Sequence, residues 1–147
     1  MNKDIITNSV EETEAFGAEI GRLLNDDKSA PTFIALYGDL GVGKTAFVRG
    51  LASVIAPNSI VRSPTFAIVN EYRANKSSLF HFDMYRIEDE DELYSIGFYD
   101  YLDRGVCVVE WSENIPYALP KHYIRVEISK TSPDSPDERK ISAQTIR

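Results

Sequence analysis

The sequence has few of the features that would place it in a specialised class of protein. Its 147 residues include a single cysteine, Cys107, so the chain cannot form an internal disulfide. The cysteine lies within an apolar run, which is typical of a small core residue in a reducing compartment. No apolar run approaches the roughly 20 residues of a membrane span, and the first residues resemble no signal peptide. We therefore expect a cytoplasmic protein that does not use membranes.

Positive charge is also scarce. Lys and Arg number 16 against 23 Asp and Glu, which gives a formal net charge of −7 at pH 7. Such acidity argues against a protein whose main task is to grip a nucleic acid backbone. It leaves open a small basic patch, or contact with nucleic acid through a partner. The length is that of one ordinary domain, and we predict a single domain over residues 1–147.

Apolar strands alternate with amphipathic helices along the chain. Ser9 and Glu12 form a capping-box pattern ahead of a helix that ends near residues 25–27. The other predicted elements are helices at 44–55 and 88–96 and strands at 33–37, 67–73, 79–83, 106–109, 123–128 and 140–145. The alternation predicts a three-layer α/β domain, and the two hairpins imply a mixed, mainly parallel central sheet. We expect the polar, Pro- and Ser-rich residues 129–138 to form a mobile loop.

Residues 38–45 read Gly-Asp-Leu-Gly-Val-Gly-Lys-Thr and match the phosphate-binding pattern G-x-x-x-x-G-K-[ST] at every fixed position. Glycines let such a loop curl so that successive N–H groups point inward, and the following helix adds unpaired donors at its N-terminus. Lys44 would place its charge on the outer phosphates, and Thr45 would offer a hydroxyl to Mg²⁺. The motif follows an apolar strand and opens a helix, as it must. We therefore predict a P-loop NTPase domain that binds ATP or ADP with Mg²⁺.

The predicted nucleotide-binding residues are Gly38, Asp39, Leu40, Gly41, Val42, Gly43, Lys44, Thr45, Ala46 and Thr65.

Two acidic residues end apolar runs and could complete a catalytic site. Asp83 follows Leu79–Phe82 and Glu110 follows residues 106–109, each in the form of a strand-end acid that serves Mg²⁺. We predict that Lys44, Asp83 and Glu110 are catalytic and that Thr45, Asp83 and Glu110 hold the metal. Which of the two acids binds Mg²⁺ and which polarises the attacking water stays open.

The remaining candidates lie near these acids. Thr65 falls in a segment where switch-type loops lie and could reach the metal or the γ-phosphate, although an ordinary Ser-Pro turn explains the pattern equally well. His81 is interpreted as structural or supporting. Trp111 is interpreted as a packing residue whose fluorescence could report nucleotide binding.

Taken together, these motifs resemble the TsaE (YjeE) family, small bacterial ATPases of tRNA threonylcarbamoyladenosine biosynthesis. The resemblance rests on residues 38–45, 63–66, 81–86 and 110–111 and covers roughly residues 11–111. It implies that residues 63–65 form a switch-like loop, that Asp83 is the acid of the His-x-Asp-x-Tyr-Arg motif and that Glu110 is linked to the metal. It also implies that residues 7–13 border the adenine. Many members carry a second hydroxyl residue where this chain has Ala46.

The resemblance further implies that the protein acts with the TsaD–TsaB pair. That complex transfers a threonylcarbamoyl group to an adenosine beside the tRNA anticodon, and ATP hydrolysis by the family member resets it. Contact with tRNA would be indirect, through the complex.

We therefore expect a slow ATPase that serves partner proteins. Arg62 and Arg86 are the candidates for an arginine finger, and without one, turnover by the isolated chain should stay near or below a few per minute. A small-molecule kinase is the main alternative, but it usually needs an arginine-rich lid. A GTPase would need an Asn-Lys-x-Asp motif, and residues 75–78 lack the aspartate. A purely structural nucleotide is the fourth reading.

Overall fold

The structure is a computed structural model that describes residues 1–39, 41–75 and 77–147. Its strands are β1 (Asn2–Thr7), β2 (Phe33–Tyr37), β3 (Val69–Arg73), β4 (Ser78–Asp83), β5 (Val106–Glu110), β6 (Tyr123–Lys130) and β7 (Arg139–Ile146). Its helices are α1 (Val10–Asp26), α2 (Lys44–Ile55), α3 (Glu90–Ser95) and α4 (Phe98–Tyr101), with short 3₁₀ turns at Ser112–Asn114 and Pro116–Ala118. In this described part of the chain, no helix combines the length and the apolar composition needed to cross a membrane.

The seven strands form one sheet in the order β1-β7-β6-β2-β5-β4-β3. The four central strands β6, β2, β5 and β4 run parallel, and antiparallel strands add to both edges. The carboxyl ends of β2, β4 and β5 therefore meet at one edge of the sheet, where ligands of open α/β sheets bind. The predicted mixed sheet with a mainly parallel centre is confirmed.

Helices cover both faces of the sheet, which confirms the predicted three layers. Ile34 and Leu36 of β2 pack in one buried cluster with residues of α1 and α2. Phe33 and Ala35 point the other way, into a second cluster that includes residues of α3 and α4. β2 is thus buried on both faces, as its unbroken apolar run predicts.

Helices α1 and α2 approach each other closely through glycines. A Cβ added at Gly50 would lie 1.8 Å from the carbonyl oxygen of Glu14, and one added at Gly17 would lie 2.1 Å from that of Phe47. Only the absence of side chains allows this approach. Because α2 begins at Lys44, the contact fixes the position of the predicted phosphate-binding lysine relative to α1.

Several element boundaries differ from the sequence predictions. β1 was not predicted, because Ile5 and Ile6 are adjacent and give no alternating pattern. α4 was also missed, since four residues are too few to show helical periodicity. β6 extends to Lys130 and pairs with the start of β7, so the predicted loop over 129–138 begins two residues too early. The physical reason is that backbone pairing continues through a polar sequence once the register is set.

The hairpin at β3 also starts later than the prediction at residue 67. The N–H groups of Ala67 and Ile68 both donate to the Pro64 carbonyl oxygen, at 3.1 and 2.7 Å. Their N–H groups are therefore committed to a turn and cannot donate to a neighbouring strand.

Candidate functional site

The glycine-rich segment between β2 and α2 curls and faces outward. Gly41 and Gly43 have φ angles of +77° and +110°, which other residues rarely adopt. A Cβ added at Gly41 would meet no atom within 4 Å, so this part of the loop borders open space. Gly38 has a φ of +148°, and a Cβ there would lie 2.6 Å from the Ile128 carbonyl oxygen. Gly38, Gly41 and Gly43 thus have the positive φ angles that a tightly curled phosphate-binding loop uses. Leu40, also predicted to bind nucleotide, lies outside the described residues.

Lys44 holds its ammonium group against three partners. Its Nζ donates to the Gly38 carbonyl oxygen at 2.7 Å and lies 3.8 Å from Glu110 Oε1. It also lies 4.3 Å from the centre of the Trp111 ring, within the range of a cation–π contact. The lysine side chain is only 6% exposed, so its charge is largely removed from water. A charge held in this way is ready to receive an anion without first being ordered.

One cavity of about 370 Å³ gathers most of the predicted residues. It is lined by Gly41, Gly43, Lys44, Thr45, Ser63, Thr65, Asp83, Glu110 and Trp111. These residues come from the glycine-rich loop, the start of α2, the segment before β3 and the ends of β4 and β5. The structure therefore brings the predicted phosphate-binding, metal-binding and switch-like residues together. Of the other predictions, Val42 and Ala46 line a second cleft described below, and Gly38 and Asp39 lie at the start of the loop.

Asp83 and Glu110 occupy paired positions at the ends of the parallel strands β4 and β5. Both are buried, with 7% and 5% of their surfaces exposed. Asp83 Oδ2 accepts a hydrogen bond from the Thr65 hydroxyl at 3.2 Å, and Oδ1 accepts one from the N–H of Tyr85 at 2.9 Å. Two adjacent buried carboxylates repel each other unless cations lie nearby. Lys44 supplies one cation, and the cavity has oxygen donors for a second.

These residues fit Mg²⁺ that arrives with phosphate. Within residues 1–39, 41–75 and 77–147, no three His, Cys, Asp or Glu side chains converge as a metal cage. Mg²⁺ does not need one, because it usually takes one or two carboxylates and completes its shell with phosphate oxygens and water. The hydroxyl of Thr45 and the carboxylates of Asp83 and Glu110 line the cavity together and are the hard oxygen donors that this ion prefers.

The segment that carries Thr65 is tied to the end of β4. The Thr65 hydroxyl lies 2.6 Å from that of Ser63 and donates to Asp83. The N–H of Asp83 in turn donates to the Ile68 carbonyl oxygen at 2.8 Å. Ile68 has a φ of +69°, an uncommon conformation for a β-branched residue. We use the name switch-like loop for residues 62–65, which are the predicted residues 63–65 and the adjoining Arg62; Ser63 and Thr65 line the cavity.

His81 and Trp111 take more specific places than the sequence predicts. His81 is fully buried on β4, with Nε2 hydrogen-bonded to Glu110 Oε2 and Nδ1 lying 3.1 Å from the Tyr72 hydroxyl. Trp111 has a φ of +59°, a strained backbone that costs about 1–3 kcal/mol in a residue other than glycine. Its ring lies beside the Lys44 ammonium group, and its ring centre is 5.0 Å from that of Tyr85.

Cys107 plays no part in this cavity. It packs in the cluster on the face of the sheet that α3 and α4 cover, and burial raises the pKa of its thiol to about 12. The arginines proposed as fingers are also elsewhere: the guanidinium of Arg86 lies over the exposed Phe66 ring, at 5.4 Å from its centre. No arginine in the described part of the chain lines the cavity.

A second cleft of about 140 Å³ lies on the other side of the glycine-rich loop. It is lined by Ser9, Val10, Thr13, Gly41, Val42, Gly43, Ala46, Asp137 and Arg139. Arg139 Nε donates to the Val42 carbonyl oxygen at 2.8 Å, so the start of β7 supports the loop. Asp137 and Arg139 were not predicted from the sequence, because 97 positions separate Arg139 from its partner Val42.

Comparisons with known proteins agree with the motifs. The family model described as "Threonylcarbamoyl adenosine biosynthesis protein TsaE" matches residues 7–141. Among curated relatives, all named tRNA threonylcarbamoyladenosine biosynthesis protein TsaE, the Aquifex aeolicus protein is 42% identical over 76% of this chain and 77% of its own. The Bacillus subtilis protein is 40% identical over 77% of this chain and 69% of its own length. The Rickettsia bellii protein is 33% identical over 91% of each of the two chains.

A solved structure extends the likeness to the fold. The crystal structure of Bacillus subtilis YdiB superimposes with a TM-score of 0.73 at 31% sequence identity, covering 99% of this chain and 87% of that one. The family match over residues 7–141 thus comes with a shared fold over nearly the whole chain. The chain belongs to the TsaE family of threonylcarbamoyl adenosine biosynthesis proteins.

Proposed function

We propose that this protein is a slow, Mg²⁺-dependent ATPase that acts with a TsaD–TsaB pair in the formation of threonylcarbamoyladenosine in tRNA. The convergence of Lys44, Thr45, Asp83 and Glu110 on one cavity beside an outward-facing glycine loop carries the proposal. The family assignment supplies the pathway, and the names of the relatives point to the same modification of tRNA.

The phosphate chain of ATP would lie along the glycine-rich loop. The N–H groups from Gly41 to Thr45 and the N-terminus of α2 would hold its oxygens, and Lys44 would contact the outer phosphates. Lys44 would give up part of its contact with Glu110 for this purpose, at little cost because 3.8 Å is already long for an ion pair. Bound Mg²⁺ would neutralise charge on the outer phosphates and hold them in one geometry.

The nucleoside would extend to the second cleft. That cleft shares Gly41 and Gly43 with the phosphate cavity, so one ligand can span both. The start of α1 forms its other wall through Ser9, Val10 and Thr13. This position agrees with the resemblance, which implies that residues 7–13 border the adenine.

We assign different tasks to the two acids. Asp83 accepts hydrogen bonds at both oxygens and is tied to Thr65, which suits a carboxylate that steadies the metal and its water. Glu110 has one oxygen fixed by His81, and its other oxygen faces Lys44 at the cavity. Glu110 is therefore the better candidate for orienting the water that attacks the γ-phosphate.

Hydrolysis by the isolated chain should be slow. An arginine that stabilises the transition state accelerates such reactions by about 10³-fold or more, and no arginine in the described residues lines the cavity. A partner protein that supplies a cation, or that closes the switch-like loop, would raise the rate. The ATPase would then run at its full rate only when the partners are bound.

The test is release of phosphate from γ-labelled ATP, by the chain alone and with purified TsaD and TsaB. We expect at most a few turnovers per minute alone, a clear increase with the partners and loss of both rates in Glu110→Gln. Support of threonylcarbamoyladenosine formation by Glu110→Gln, with hydrolysis abolished, would instead favour a structural nucleotide. Transfer of label to an added nucleoside or sugar, without free phosphate, would favour a kinase.

A further inference from the structure

A chain of buried polar groups runs from the switch-like loop to Glu110. It passes through Tyr72 on β3 and His81 on β4, which are 6% and 0% exposed. Both lie in a part of the sheet that is otherwise apolar: Tyr72 packs in the same cluster as Leu79 and Val108. Polar groups in such surroundings are costly unless each finds a partner.

Every polar atom in this series of buried groups has a partner at hydrogen-bonding distance. The N–H of Arg62 donates to the Tyr72 hydroxyl oxygen at 3.2 Å, and the Tyr72 hydroxyl donates to the Arg62 carbonyl oxygen at 3.0 Å. The Tyr72 hydroxyl lies 3.1 Å from His81 Nδ1, and His81 Nε2 contacts Glu110 Oε2. Within the described residues, no buried side-chain nitrogen or oxygen lacks a partner.

The chemistry of the groups limits how these bonds can run. Since Glu110 offers carboxylate oxygens, His81 Nε2 carries the hydrogen and donates it. The Tyr72 hydroxyl accepts from the N–H of Arg62 and has one hydrogen of its own, which faces the Arg62 carbonyl oxygen at 3.0 Å and His81 Nδ1 at 3.1 Å. Tyr72 therefore joins the backbone of the loop to His81, and His81 joins Tyr72 to the carboxylate. Hydrogen bonds joined in such a network strengthen one another.

We propose that Tyr72 and His81 are positioning residues that couple the switch-like loop to Glu110. When the loop occupies its described position, Tyr72 is held by Arg62, His81 is held by Tyr72, and Glu110 is held with one oxygen toward the cavity. When the loop moves, the Tyr72 hydroxyl turns to other acceptors and His81 loses its fixed orientation. Glu110 then loses the contact that aims it.

The same loop also holds the second acid. Thr65, three residues after Arg62, donates directly to Asp83. One short segment therefore controls both carboxylates, Asp83 through a side chain and Glu110 through the buried chain. This arrangement would let a partner that contacts the loop set the activity of the site. The inference rests on the proposed function only for the identity of the ligand; the coupling concerns the protein without ligand.

The first test uses Tyr72→Phe, which removes one hydroxyl and keeps the ring packed. We expect two signals of the ligand-free protein to shift in heteronuclear NMR spectra: the backbone amide of Arg62 and the indole N–H of Trp111, the only tryptophan of the chain. Tyr99→Phe is the matched control, because it removes a hydroxyl that donates to Glu90 at 2.7 Å on a surface helix. It should move neither signal. An unchanged indole signal in Tyr72→Phe would overturn the coupling.

The second test is a double-mutant cycle on hydrolysis. Tyr72→Phe and His81→Asn should each lower kcat about tenfold or more and leave KM for ATP within about twofold, because they aim Glu110 and do not touch the phosphates. The double variant should be no slower than His81→Asn alone, since both changes break one chain. His122→Asn, at the exposed second histidine, is the control. Multiplying effects, or a rise in KM without loss of kcat, would refute the coupling.

The two tests separate this inference from the proposed function. If the unaltered protein neither binds nor hydrolyses ATP, the proposed function fails, and the NMR comparison still decides whether loop and carboxylate are coupled. If His81→Asn does not fold, Tyr72→Phe alone decides. If ATP is hydrolysed and Tyr72→Phe behaves as Tyr99→Phe does, the coupling fails and the ATPase assignment stands.

Discussion

Replacing Gly50 by alanine tests the packing that positions the phosphate-binding helix. Gly50 lies inside α2, where glycine is a poor helix former and alanine is favoured by about 1 kcal/mol. Helix propensity alone therefore predicts a more stable protein. The structure predicts the opposite, because the new Cβ would lie 1.8 Å from the carbonyl oxygen of Glu14 on α1.

The size of the effect follows from that distance. Ordinary contact between a carbon and an oxygen is about 3.4 Å or more, so the two helices would have to separate by over 1 Å. Overpacking of this kind costs typically about 1–3 kcal/mol, and more when rigid backbone opposes the new atom. After the gain in helix propensity we expect a net loss of about 3 kcal/mol in the free energy of unfolding. For a domain of this size that lowers Tm by about 10 °C.

The assay is thermal unfolding followed by circular dichroism, on a graded set of three variants. A Cβ at Gly17 would lie 2.1 Å from a backbone oxygen, whereas one at Gly21 would lie 2.9 Å from the Val54 side chain. The loss should therefore be largest for Gly50→Ala, close behind for Gly17→Ala and smallest for Gly21→Ala. A Gly50→Ala protein as stable as the parent would show that α1 and α2 lie farther apart than described.

Three further predictions concern the cavity and the core. Asp83→Asn should raise the Mg²⁺ concentration that gives half-maximal hydrolysis by about 10- to 100-fold, measured by Mg²⁺ titration. Thr65→Val should give a smaller change in the same direction. Equal Mg²⁺ responses in the parent and both variants would exclude the metal role of Asp83. Arg139→Gln removes the bond to the Val42 carbonyl, worth about 1 kcal/mol, so calorimetric titration should find ATP bound about fivefold more weakly; unchanged affinity would mean that the loop does not need this support. Because burial raises the Cys107 pKa to about 12, its thiol should resist iodoacetamide at pH 8 until urea unfolds the chain, as seen by mass spectrometry. Rapid labelling of the folded protein would contradict the burial. Because the pKa is higher in the folded than in the unfolded state, the contribution of Cys107 to stability is fully present below the unfolded thiol pKa near 9 and is lost as pH rises toward 12.

Local signals in the sequence were enough to predict the centre of the molecule. β2 and α2 have the predicted bounds because an unbroken apolar run and a Pro-Asn break leave little choice. Gly43, Lys44 and Thr45 follow from a motif whose chemistry is tied to its spacing. Asp83 and Glu110 were found because a strand-end acid needs only the strand to be recognised, and both acids line the cavity with Lys44.

What the sequence could not show depends on contacts between distant residues. The support of the loop by Arg139 joins positions 97 residues apart. The role of His81 requires the register of β4 against β5, which places it near Glu110, and that of β3 against β4, which brings Tyr72 beside it. A histidine in an apolar strand has no sequence pattern that distinguishes a packing residue from one that aims a carboxylate.

The proposed function depends on a polyphosphate held by the backbone N–H groups of the glycine-rich loop. The decisive measurement follows the backbone amide signals of the isotope-labelled protein during titration with ATP and Mg²⁺. We expect large, saturable shifts at Gly41, Gly43, Lys44 and Thr45, and their loss in Lys44→Ala. Saturable binding that leaves these four amides unmoved, or no binding at millimolar ATP, would contradict it.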